Sequence, residues 1–120
     1  MSLDVSLYRK YHVSYDNGKT LEPKEEFVFD ASITHNLDTM AAYAGIYRAC
    51  WRPEEIKATK AKDIIPILER GYKELKEKPE YFMQFNASNG WGVYENFLPW
   101  VKEYLDACKE FPECEIHVSR

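Results

Sequence analysis

The most constraining feature of this chain is a change of hydrophobic period close to residue 36. Before it, Leu3-Asp4-Val5-Ser6-Leu7-Tyr8 alternates apolar and polar residues. Glu25-Glu26-Phe27-Val28-Phe29-Asp30-Ala31-Ser32-Ile33 is rich in β-formers, with Phe27, Phe29, Ala31 and Ile33 on one face. From Asn36 onward, Leu37, Met40, Ala41, Ala44 and Tyr47 recur at helical spacing. Side chains alternate across a strand and return about every 3.6 residues around a helix, so the apolar face carries through this point only if strand gives way to helix. Between the two strands, Tyr15-Asp16-Asn17-Gly18-Lys19 holds an Asn-Gly pair, both tolerant of positive φ, which predicts a turn or hairpin end.

Helical spacing then dominates the middle of the chain. Pro53, in Trp51-Arg52-Pro53-Glu54-Glu55, ends the first helical region, with a loop or short turn after it. Asp63-Ile64-Ile65-Pro66 reads as a cap and first turn, followed by a stripe of Ile64, Ile67, Leu68, Tyr72 and Leu75 that stops before Pro79. The opposite face, with Glu69, Arg70, Lys73, Glu74, Lys76 and Glu77, is a solvated one. Pro79 to Phe85 suggests a short helix. Tyr94, Phe97, Leu98, Val101, Leu105 and Cys108 describe a long one, with Pro99 at a kink or in the first turn. Glu115-Ile116-His117-Val118-Ser119 alternates again, with Ile116 and Val118 inward. The expected fold is α+β: a single two-layer domain over residues 1–120, with a small antiparallel or mixed β-sheet and about three main helices packed on one face.

Composition narrows the function classes. A chain of 120 residues, 45% hydrophobic and 30% charged, has enough core to fold without disulfide or metal. Sixteen basic against twenty acidic residues, with no basic cluster, make a nucleic acid polymer a poor partner. No apolar run approaches the roughly 20 residues of a membrane span, and Met1-Ser2-Leu3-Asp4 does not look like a signal segment, so a cytoplasmic protein without membrane contact is expected. Cys50, Cys108 and Cys114 lack metal-site spacing and suit reduced thiols; a Cys108–Cys114 bridge, or zinc held with His117, is the weaker alternative. Neither a metal nor a cofactor is expected. Aromatics at 15% exceed what a small interior absorbs easily, so some, such as Tyr8, Tyr11, Tyr43 and Trp100, are expected at a self-association surface of a homo-oligomer.

Two segments offer chemistry. In Ser32-Ile33-Thr34-His35-Asn36, polar side chains gather where a strand meets a helix N-terminus, a place receptive to anions. Thr34 and Asn36 are equally at home as helix caps, and His35 as a partner of a backbone carbonyl. In Asn86-Ala87-Ser88-Asn89-Gly90-Trp91-Gly92-Val93-Tyr94, two glycines allow close backbone approach, Asn86 and Asn89 offer paired donors and acceptors, and Trp91 suits stacking on a base or sugar. The same residues also make an ordinary loop, with Trp91 in the core and Asn89 bonded to its own backbone.

The blocks Ile33-Thr34-His35-Asn36-Leu37, Met40-Ala41, Ala44-Gly45-Ile46-Tyr47, Trp51-Arg52-Pro53-Glu54-Glu55 and Asn89-Gly90-Trp91-Gly92 with Tyr94-Glu95 resemble a family of small uncharacterised proteins of phages, prophages and bacteria. The resemblance covers about residues 27 to 120 and brings no assigned activity. It implies that the Thr34-His35-Asn36 corner, Trp51-Arg52 and the Asn89-to-Tyr94 loop form one site, in the host cytoplasm if the protein is phage-encoded.

Three functions follow. The leading one is non-catalytic binding of a small polar or anionic ligand such as a nucleotide, including a host signalling nucleotide. Thr34, His35, Asn36, Asn86, Asn89 and Tyr94 would line the site, Arg52 would pair with the anion, and Trp91 would stack. The second is a small hydrolase or transferase with His35 as general base, oriented by Asp30 or Asp38; it lacks a nucleophile, since Ser32 and Ser88 stand in no known elbow. The third is a protein-interaction or structural module.

Overall fold

The computed structural model describes residues 2–120. Strands β1 (Ser2–Val13) and β2 (Glu22–Thr34) form an antiparallel hairpin, and β3 (Glu115–Ser119) pairs antiparallel with the other edge of β1, giving the order β2-β1-β3. The hairpin turns where Asn17 and Gly18 take φ of 54° and 88°. The Asp16 carboxylate accepts the Thr20 N–H at 2.7 Å, and the Ser14 hydroxyl accepts the Gly18 N–H at 2.6 Å. Leu3, Val5 and Leu7 of β1 are fully buried, opposite Ile33, Ala31 and Phe29 of β2.

The expected inward set fails at one residue. Leu7 faces Phe29 but Tyr8 faces Phe27, so Val28 is an extra residue in β2, a β-bulge. One extra residue reverses the alternation, so Phe27 points away from the core, 56% exposed, with its ring 5.4 Å from that of Tyr8. β3 reaches only from Asp4 to Tyr8 along β1, and the hairpin beyond it projects as a two-stranded arm. The molecule therefore measures 59 × 27 × 23 Å, with a radius of gyration of 16.5 Å. A compact chain of this length has about 13.6 Å.

Five α-helices complete the domain: α1 (Asp38–Tyr43), α2 (Tyr47–Trp51), α3 (Ala61–Glu77), α4 (Pro79–Met83) and α5 (Tyr94–Glu110). Only α3 and α5, of 17 residues each, are long. The helix expected to run on from Asn36 is instead a 3₁₀ turn at His35–Leu37, then α1 and α2 divided at Gly45, whose φ of 81° no helix accepts. The elbow packs tightly: a Cβ on Gly71 of α3 would lie 2.1 Å from Ile46 Cγ2. α3 begins at Ala61, before the expected cap, yet Asp63 still caps it by reaching back to accept the Lys60 and Thr59 N–H groups, each at 3.0 Å. Pro66 and Pro99 both lie exposed in the second turn of their helices, where water can serve the carbonyl each leaves unpaired.

The core joins β1 to Leu37, Met40, Ile64, Leu68, Phe97, Val101 and Tyr104, and the Phe29 and Tyr104 rings stack at 6.0 Å. Trp100, expected at the surface, is only 6% exposed because α5 turns it inward beside Phe97 and Tyr104; Tyr11 and Tyr43 are exposed as expected, and Tyr8 is half-buried. The three cysteines are free and buried, so no Cys108–Cys114 bridge forms. Burial pushes the Cys108 thiol up to about 12 and raises Cys50 further. No described helix is long and apolar enough to cross a membrane.

Two stability tests follow from this packing. Gly71→Ala should cost about 1–3 kcal/mol by overpacking against Ile46, read as a lower urea midpoint with an unchanged slope. The Lys60 and Thr59 N–H groups hold the Asp63 carboxyl below its ordinary 3.8. Its contribution is therefore complete above that value and lost as pH falls through the lower folded one. Asp63→Asn should remove this part of the acid limb in a stability–pH profile.

Candidate functional site

The loop after α4 is built by its own polar residues. The Ala87 N–H donates to the Gly92 carbonyl at 2.9 Å, and Asn89 Oδ1 accepts the Trp91 N–H at 2.9 Å, closing an Asx turn. Asn86 Oδ1 accepts the Tyr94 N–H at 2.8 Å, capping the first residue of α5. Gly90 and Gly92 take φ of 78° and 112°.

This loop presses on the end of β2. A Cβ on Gly92 would sit 2.9 Å from Asn36 Cβ and 3.3 Å from Thr34 Cγ2, so only glycine allows the approach. Asn36 Nδ2 donates to the Trp91 carbonyl at 2.7 Å, and Thr34 Oγ1 accepts the Asn36 N–H at 3.3 Å. The two segments singled out in the sequence thus meet directly. Between them lies an open cleft of about 810 Å³ lined by Ser2, Ser32, Ile33, Thr34, His35, Asn36, Asn89 and Trp91. An adjoining hollow of about 430 Å³ shares Ser32, Ile33, Thr34 and Trp91 and reaches Asn96, Trp100 and Glu103. Trp91 is 70% exposed, not in the core.

His35 differs from expectation in its partner. Its Nδ1 accepts the indole N–H of Trp51 at 3.1 Å, and Trp51, 2% exposed, stacks on Tyr47 with ring centroids 5.6 Å apart. With Nδ1 accepting, the neutral ring carries its proton on Nε2 and acts there as a donor. Neither carboxylate expected to orient the ring touches it: Asp38 accepts from the Thr39 N–H at 2.7 Å, and Asp30 faces Ser6 across the sheet.

Three other expected site residues stand elsewhere or are already engaged. Arg52 does not line the cleft; its Nε donates to the Tyr47 hydroxyl at 3.3 Å and lies 3.7 Å from Glu55, on the far side of the Trp51 indole from His35 in the chain of contacts. Tyr94 is buried, and its hydroxyl donates to the Leu75 carbonyl at 2.6 Å. In a continuing helix that carbonyl would take the N–H of residue 79, but Pro79 has none, so Tyr94 satisfies a buried acceptor that proline leaves open. Burial raises the Tyr94 phenol above its ordinary value. Asn86 serves as a cap rather than a cleft wall.

Among the described residues, none of the side chains lining the cleft is acidic, lysine or arginine. The helix-dipole argument for an anion also lapses, because the corner leads into a 3₁₀ turn and a six-residue helix rather than a long one. Ser32, at the start of the corner segment, lines the cleft, and so does Ser2, which had no part in the expected site. Their signal was the polar half of the strand alternation: Ser2 pairs with Thr34 and Asp4 with Ser32, whose hydroxyl donates to the Asp4 carboxylate. Among the described residues, no three His, Cys, Asp or Glu side chains group as a metal site.

Tyr94→Phe separates structure from binding at this site. It should cost about 1–3 kcal/mol by stranding the Leu75 carbonyl, measured by denaturant unfolding, while ligand affinity at the cleft stays unchanged. No protein-family model, curated protein or solved structure matches the chain.

Proposed function

We propose that this protein binds, without turning it over, a small polar ligand that carries a flat ring, with the nucleoside part of a nucleotide as the leading example. The observation that carries this reading is Trp91. Its indole is 70% exposed while its backbone N–H is held by Asn89 and its backbone carbonyl by Asn36, beside a cleft of hydroxyls and amides. A large ring kept in water on a pinned backbone is a stacking platform, and the amides around it supply donors and acceptors to an edge. The neutral lining favours the base and sugar of a nucleotide, with its phosphate left in solvent. His35 supports binding over catalysis. A general base at Nε2 would need the proton on Nδ1, where the Trp51 N–H already sits. The setting we infer is the cytoplasm, that of the host if a phage carries the gene, where three free thiols are at home.

The test is calorimetric titration with the four common ribonucleosides and their 5′-monophosphates. At least one nucleoside should bind, its monophosphate should bind within a few-fold of it, and the ligand should be recovered unchanged. Trp91→Ala should weaken binding by roughly 5- to 150-fold, the equivalent of about 1–3 kcal/mol per stacked base. No binding by any of the eight, or full affinity in Trp91→Ala, would overturn the reading. Recovery of altered ligand would replace binding with catalysis.

A further inference from the structure

The cations missing from the cleft are gathered elsewhere. Five of the chain's residues are arginine, and three of them, Arg48, Arg52 and Arg70, stand around the elbow between α1, α2 and α3. A separate hollow of about 400 Å³ opens there. Its existence follows from the local sequence. Gly45 breaks the helix, Ile46 is drawn against Gly71, and the small residues Ala42, Gly45 and Ala49 leave the surface low. Ile56 and Ile67 supply apolar walls, the Tyr47 ring a flat one, and Arg48 and Arg70 the charge.

These guanidinium groups are poorly neutralised. Arg48 and Arg52 share one carboxylate, Glu55, at 3.6 and 3.7 Å, long against the roughly 2.7–2.9 Å of a good charge-assisted bond. Arg70 makes no ion pair among the described residues. Of the other carboxylates, Glu54 is committed to Arg120 at 2.5 Å and Glu74 to Lys78 at 2.9 Å, while Asp38 lines a neighbouring hollow with Ala42 and Tyr47 and accepts the Thr39 N–H. A chain of net charge −4 thus gathers three arginines with one shared carboxylate over an apolar floor.

We propose that this elbow is a second ligand site, independent of the Trp91 cleft, for a small molecule that joins a phosphate or carboxylate to a flat apolar ring. The forked donors of Arg48 and Arg70 match the geometry of either anion, and the hollow's size suits a single ring over the alanines and isoleucines. Tyr47 faces the ring from the side, with Arg52 fixed on its hydroxyl.

The probe set is phenyl phosphate, benzoate, inorganic phosphate and phenol, titrated by calorimetry into the whole protein. Phenyl phosphate or benzoate should bind at least tenfold more tightly than inorganic phosphate and phenol. Arg70→Gln and Arg48→Gln should each weaken it by roughly 10- to 100-fold, as expected for the loss of a charged hydrogen-bond donor. Both positions are exposed, so the melting temperature should not move. Ala42→Phe, also at an exposed position, should fill the floor and abolish the preference for a ring while leaving weak phosphate binding. Trp91→Ala should leave every one of these affinities unchanged, which separates this site from the cleft. Equal binding of phenyl phosphate and inorganic phosphate, or undiminished affinity in both arginine variants, would overturn the proposal.

Discussion

The contact between Gly71 and Ile46 sets the positions of most of what surrounds the two candidate sites. With no side chain at Gly71, α3 lets the α1–α2 elbow settle against it. That placement puts the short α2 helix over the core with Ala49, Cys50 and Trp51 buried. It also brings the Trp51 indole under His35. Any larger residue at position 71 would lift the elbow as a unit, because Ile46 has no room to yield within a close-packed interior.

The two sites are chemically unlike and physically adjacent. One is lined by hydroxyls, amides, an imidazole and an exposed indole; the other sets weakly paired arginines over small apolar residues. They share a wall of aromatic contacts: His35 bonds to Trp51, Trp51 stacks on Tyr47, and Tyr47 lines the arginine hollow and accepts from Arg52. This explains why Trp51-Arg52, adjacent in sequence, serve opposite sides. The backbone at Arg52 (φ −140°, ψ 59°), set against Pro53, sends the two side chains apart.

Much of the architecture was legible because periodicity is a direct projection of burial. The alternations near Leu3, Ile33 and Val118 mark three strands, the Asn17-Gly18 pair marks the turn, and the stripe from Ile64 to Leu75 marks α3. The bulge was not legible, since Val28 is as good a β-former as its neighbours and only pairing with β1 reveals it as surplus. Nor was the break at Gly45: apolar residues continue at helical spacing across it, and the distant Gly71 decides the outcome. For the site, the corner and the Trp91 loop could be named from turn and cap chemistry, which is local. The roles of Tyr94 and Arg52 could not, because they answer to Leu75, orphaned by Pro79, and to Tyr47, partners that no local pattern identifies.

The bulge at Val28 also divides the hairpin into two regimes of stability. On its inner side the strands carry Leu3, Val5 and Leu7 under the helices, so their amides open only when the whole domain does. On its outer side, Arg9–Val13 and Glu22–Glu26 have no strand partner but each other, joined by the Arg9–Glu26 pair at 2.8 Å and tied to β3 only by the exposed Lys10–Glu115 pair at 3.5 Å, and their residues are exposed or half-buried. A two-stranded ribbon of this kind is marginal in water. The arm is therefore a separate cooperative unit, able to unzip and reclose from its Asn17-Gly18 tip as far as residue 28 while the cleft and the elbow stay intact.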